Sequence, residues 1–147
     1  MTTAEAHDLL LAHAGASPDP DHPKFTDGFL GMLRPYHGLR EHNFHEVMQA
    51  LRTISPTLQY AALDRELVSA LWGICHFGRA WALETGSMLQ RNGLITPADA
   101  GRLDEWLSII SYAVACLLDD SGVEEAFQPY EFYLAEAQGY GSTSASN

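Results

Sequence analysis

The chain has 147 residues, nearly half of them apolar, and a formal net charge of −11. That length fits one domain with a real hydrophobic core, and the composition excludes an intrinsically disordered chain. An acidic field of this size repels phosphate backbones and anionic lipid, so it argues against nucleic-acid and membrane-surface partners and for a basic protein.

Apolar residues recur with a period near 3.6 and nowhere alternate convincingly, which predicts an all-α fold. The expected architecture is a compact single-domain bundle of five to seven helices over residues 1–138, followed by a flexible tail over 139–147. Thr2 with Glu5 forms a capping box for a helix over 3–14. Residues 15–23, with three prolines, a glycine and two aspartates, read as a linker. A short helix over 26–33 follows, weakened by Gly28 and Gly31 and ended before Pro35. In "EHNFHE", Glu41/His45 and His42/Glu46 have the i, i+4 spacing of metal ligands. Asn43 with Glu46 reads instead as a helix start, which puts Glu41 and His42 outside the helix and leaves no metal site.

That third helix is expected to stop at Ser55-Pro56. Asp64 caps a long helix over 64–84, a short one covers 87–91, and Gly93 supplies a left-handed end from which Leu94 folds back. Thr96-Pro97-Ala98-Asp99 is the strongest helix start in the chain and opens a second long helix over 97–118. Its stripe is Leu103, Trp106, Leu107, Ile110, Ala113, Val114 and Leu117. Ser121 with Glu124 caps a further helix that Pro129 breaks, and "YEFYLAEAQ" forms one more. Cys75 and Cys116 lie in apolar helical runs without metal or redox spacing, as reduced thiols do in a cytoplasmic protein. No segment reaches the roughly 20 apolar residues of a membrane span, and the N-terminus has no positively charged signal-peptide region. The other histidines, at 7, 13, 22, 37, 42 and 45, are expected in surface or capping roles.

Two regions carry candidate function. In "LWGICHFGRAW", Leu67, Leu71, Ile74, Gly78 and Ala82 make one apolar face of the helix over 64–84, while Trp72, His76 and Arg79 share the other side. The structural expectation has Trp72 packed, His76 buried and hydrogen-bonded, and Arg79 paired with an acid. The functional alternative makes these three residues the wall of a small-molecule or catalytic pocket. Gly73 and Gly78 both read as points of close approach. No nucleophile motif, phosphate loop or cofactor motif accompanies them, so no catalytic residue and no cofactor is assigned.

The second region is the last third of the chain. From Asp99 onward nine acids face one base, Arg102. Asp119, Asp120, Glu124, Glu125 and Glu131 with Tyr130 and Tyr133 form the candidate contact surface, because tyrosine amid acids suits a protein interface. The profile of a small, acidic, helical chain without catalytic motifs resembles, in type, immunity or antitoxin-type inhibitors that cover a basic toxin or nuclease. That likeness implies a non-catalytic protein-binding domain. A homodimer that buries the apolar surplus of the two long helices is the remaining expectation.

Overall fold

The computed structural model describes residues 1–145. These form α1 (Thr3–His13), α2 (Pro23–Asp27), α3 (Glu41–Leu58), α4 (Arg65–Ala82), α5 (Met88–Arg91), α6 (Pro97–Leu118) and α7 (Val123–Ala145). The fold is all-α, and the described residues contain no strand beyond an isolated bridge between Leu33 and Tyr36. No helix among them is long and apolar enough to cross a membrane. The long helices α4 and α6 pack together as the stripes require. Leu67, Leu71, Ile74 and Gly78 of α4 and Leu103, Trp106, Leu107, Ile110, Ala113 and Leu117 of α6 are all buried. Phe44, Val47, Met48 and Leu51 of α3, Leu10 of α1 and Phe127 and Tyr130 of α7 join this core. Both cysteines are free thiols, Cys75 half-buried on α4 and Cys116 buried on α6.

Local chemistry explains the helix ends. Thr2, Asp64 and Thr96 each accept backbone N–H bonds at the start of α1, α4 and α6. After α5, Gly93 takes a φ of 65°, and the Leu94 N–H returns to the Leu89 carbonyl at 2.9 Å.

Several expected boundaries move. Pro23 opens α2 rather than closing a linker, with His22 Nδ1 accepting the Lys24 N–H at 3.1 Å. The helix then ends at Asp27, because Gly28 lies against His13, where a Cβ would stand 3.0 Å from the His13 Cα. α3 starts at Glu41, not at Phe44; Asn43 lies inside its first turn as a buried side chain. It also runs through Pro56 to Leu58, because the Arg52 carbonyl that proline orphans takes the Ser55 hydroxyl at 2.8 Å. α7 likewise runs through Pro129, and it begins after Gly122, so Ser121 does not cap it. The tail expected over 139–147 coincides with the last turns of α7, apart from residues 146–147, which lie outside those described.

Another departure concerns His13, which is fully buried rather than on the surface. Its Nδ1 accepts the Phe29 N–H at 2.9 Å, so the proton sits on Nε2, which donates to Glu46 Oε2 at 3.0 Å. Lys24 stands 3.3 Å from the same Glu46 oxygen and donates to Asn43 Oδ1 at 3.1 Å. Asn43 in turn donates to the Asp27 carbonyl at 2.9 Å. This satisfied network ties the end of α1 to α3 and to the segment between them. Burial pushes the His13 pKa below its ordinary value, outweighing the Glu46 hydrogen bond that raises it. The bond from His13 lowers the Glu46 pKa in return.

The two central glycines of α4 are not equivalent. A Cβ on Gly78 would stand 3.0 Å from both methyls of buried Leu107, whereas one on Gly73 meets only Phe77, at 3.8 Å. Gly78→Ala should therefore destabilise by about 1–3 kcal/mol through overpacking. Gly73→Ala should instead stabilise by about 1 kcal/mol through helix propensity. Thermal melts of the two variants read the opposite signs.

For His13, the unfolded chain titrates near 6.5 and the folded chain lower, so the neutral ring's contribution is complete above about pH 6.5. It is lost as pH falls through the lowered folded value. Urea unfolding should show His13→Ala less stable by about 1–3 kcal/mol at pH 8, with the gap narrowing by pH 5. A gap independent of pH would contradict the buried neutral imidazole.

Candidate functional site

α3, α6 and α7 meet at an aromatic junction. The fully buried Trp106 of α6 stacks on Phe44 of α3, with ring centroids 5.5 Å apart and planes 7° from parallel. Tyr130 and Tyr133 of α7 meet Phe44 edge-on at 5.6 and 5.2 Å. Trp106 Nε1–H donates to the Tyr133 oxygen at 3.0 Å, and the Tyr133 hydroxyl donates to the Glu41 carboxylate. Tyr130 bonds His45 Nδ1 at 2.7 Å. Burial raises the pKa of both phenols.

The proposed contact surface therefore divides. Tyr130 is 4% exposed and belongs to the core, and Tyr133 is half-buried and bonded on both sides. Glu131 pairs with Arg52 of α3, whose guanidinium also lies 4.8 Å from the Phe127 ring centre, so it clamps α7 to α3. Asp119, Asp120, Glu124 and Glu125 remain exposed at the α6–α7 corner. None of these four has a basic partner among the described residues. By contrast, Asp27, Glu41, Glu46, Asp64, Asp99 and Asp104 all do. Asp120 adopts a φ of 67°, which lets the chain turn sharply into α7. Glu124 and Glu125 occupy the first turn of α7, where the helix dipole favours carboxylates.

Sequence reasoning missed the apolar part of this face. Leu118, Val123 and Tyr112 are each about 40% exposed, and Phe132 is 61% exposed. Tyr112 donates to Glu125 at 2.6 Å, and that bond raises its pKa. Between α6 and α7 runs a groove of about 370 Å³, lined by Glu105, Ser108, Ile109 and Tyr112 on one side and Pro129, Phe132, Tyr133 and Glu136 on the other. Treating Pro129 as internal to one helix would have placed Phe132 and Glu136 on a common stripe with it.

The stripe on α4 is also rearranged. Trp72 is 72% exposed and His76 is exposed, so the expected burial of His76 is wrong. Its ring meets only Phe77, edge-on at 5.1 Å, and it makes no hydrogen bond among the described residues. The partners of α4 lie on its Leu67/Leu71/Ile74 side, which leaves the Trp72 side to solvent. Arg79 sits at the edge of that face and reaches α6, donating to Asp104 at 2.8 Å and to Ser108 at 3.1 Å. A cavity of about 460 Å³ beside Arg79 is walled by Leu83, Glu84, Gln90, Ala100, Gly101 and Asp104, without Trp72 or His76. The three residues thus do not form one pocket wall.

Two groups have metal-ligand character. Glu41 and His45 do share α3, 3.8 Å apart, but His45 is also bonded to Tyr130 and Glu41 to Tyr133. His7, Asp64 and Glu66 place ligand atoms within 4.8 Å of one another at the start of α4. There Asp64 Oδ1 caps the helix through the Glu66 and Leu67 N–H groups, and Oδ2 bonds His7 at 2.9 Å. The backbone bonds, that from Leu67 foremost, lower the Asp64 pKa.

Comparison with protein-family profiles, characterised proteins and solved structures returns no match to this chain.

Proposed function

We propose that this is a non-catalytic protein-binding domain whose acidic α6–α7 corner covers a basic partner protein. The observation that carries the reading is the set Asp119, Asp120, Glu124 and Glu125, exposed and without a basic neighbour among the described residues, beside exposed Leu118, Val123 and Tyr112. Unneutralised carboxylates attract a basic surface over long range, and adjacent apolar side chains add the short-range contact. An immunity- or antitoxin-type inhibitor acting in the cytoplasm is the finer form of this proposal. Arg79 is already held by Asp104 and Ser108, which weakens the reading of a ligand pocket on α4.

Capture of a partner by the tagged chain, with identification by mass spectrometry, opens the test. Asp120→Asn combined with Glu124→Gln and Glu125→Gln removes three charges and keeps a side chain that tolerates the left-handed turn at 120. Association should slow on the order of ten-fold at low salt, with dissociation nearly unchanged. Added salt should erase the difference, since the screening length is about 8 Å at physiological ionic strength. A partner whose association rate ignores both changes would remove the electrostatic face.

A second reading rests on Trp72. Residues 67–78 contain no Asp, Glu, Lys or Arg, so two copies of a strongly acidic chain meet little repulsion there, and Trp72 is the most exposed large apolar side chain among the described residues. In that reading α4 forms a two-fold contact between copies. Sedimentation should then show a dimer that Trp72→Ser dissociates, an interface anchor of this kind contributing about 2 kcal/mol or more. A wild-type monomer at high protein concentration rules it out.

A further inference from the structure

We infer that the groove between α6 and α7 receives an arginine side chain of the basic partner. This inference rests on the protein-binding reading above and specifies the partner's anchoring group. The two helices run antiparallel across the groove, as the Trp106–Tyr133 and Tyr112–Glu125 bonds require. That register puts Glu105 and Glu136 at one end and Tyr112 and Pro129 at the other. Neither Glu105 nor Glu136 has a basic partner among the described residues. Two unneutralised carboxylates lining one end of the groove make that end electronegative and favour a cation there.

The remaining wall suits the rest of an arginine. Ile109 and the exposed ring of Phe132 offer apolar surface for the three-carbon stem, and an aromatic face attracts a planar guanidinium. A guanidinium carries five donors in a rigid fork and reaches two carboxylates at once, whereas a lysine ammonium is a more strongly hydrated point charge.

The full-length chain, labelled with ¹⁵N, is titrated with the peptide acetyl-Gly-Arg-Gly-amide. Its citrulline analogue, of the same shape without the charge, and tetralysine serve as comparisons. The arginine peptide should saturably shift the amides of Ile109, Tyr112 and Phe132, with the citrulline peptide at least several-fold weaker. Glu105→Gln with Glu136→Gln, both at exposed positions, should weaken the arginine peptide about five-fold and leave the melting temperature in place. Equal binding of the two peptides, shifts outside the groove, or an unaffected double variant would overturn the inference. Tetralysine shifting residues 119–125 while the arginine peptide leaves the groove silent removes the anchor but keeps the acidic contact face. The opposite pattern keeps the anchor and removes the face.

Discussion

The indole of Trp106 has one polar atom and no access to solvent, so its N–H must find a partner inside the protein. It finds Tyr133, and with that bond the position of α7 on α6 is set. The stacked ring of Phe44 brings in α3, and Tyr133 passes the hydrogen bond on to Glu41 at the start of that helix. Three helices thus share one aromatic and polar centre. The outward face of α6 and α7 inherits its register from it. A shift of α7 by one residue would turn Phe132 and Glu136 away from the groove and leave the indole without an acceptor.

A second polar centre performs the matching task on another face of the same first turns of α3. His13, Glu46, Lys24 and Asn43 fasten α1 and the short α2 to α3 through bonds that leave none of their side chains unsatisfied. Such networks specify one arrangement because each member has only one satisfactory partner in reach. Hydrophobic burial alone would tolerate sliding of the small N-terminal helices. Beyond these two centres extends an apolar core of leucine, isoleucine, valine and methionine that supplies most of the folding free energy but little of its specificity.

Signals that act locally along the chain are legible in the sequence. Thr2, Asp64, Thr96-Pro97 and Gly93 act through backbone groups three or four residues away, and each helix end they predict is where the structure has it. What is not legible depends on neighbours distant in sequence or on compensation. Pro56 and Pro129 look like stops, yet Ser55 repairs the first break and packing against α3 and α6 holds the second helix straight through. Asn43 resembles a cap because of its type, but its amide serves Asp27 and Lys24 across a tertiary contact. The two sides of α4 are both rich in apolar residues, so periodicity alone does not show which one faces solvent. The exposed Trp72 is the result. The acidic corner is readable from charge alone, whereas its apolar members depend on how α7 rotates over α6.

The cysteines give the packing of α4 on α6 a chemical reporter. Burial pushes the Cys75 thiol up to about 11, against the smaller opposing effect of Arg79, and Cys116 lies 6% exposed on the facing helix. At pH 8 a thiol with that pKa holds about one thiolate per thousand molecules, far below the fraction on an open chain. Alkylation at Cys75 is therefore slow while the helices are closed and fast once they part. The rate at which the chain takes up a thiol reagent becomes a clock for the opening of this helix pair. Because Cys116 is the deeper of the two, the order in which they react separates fraying of α4 from unfolding of the whole bundle.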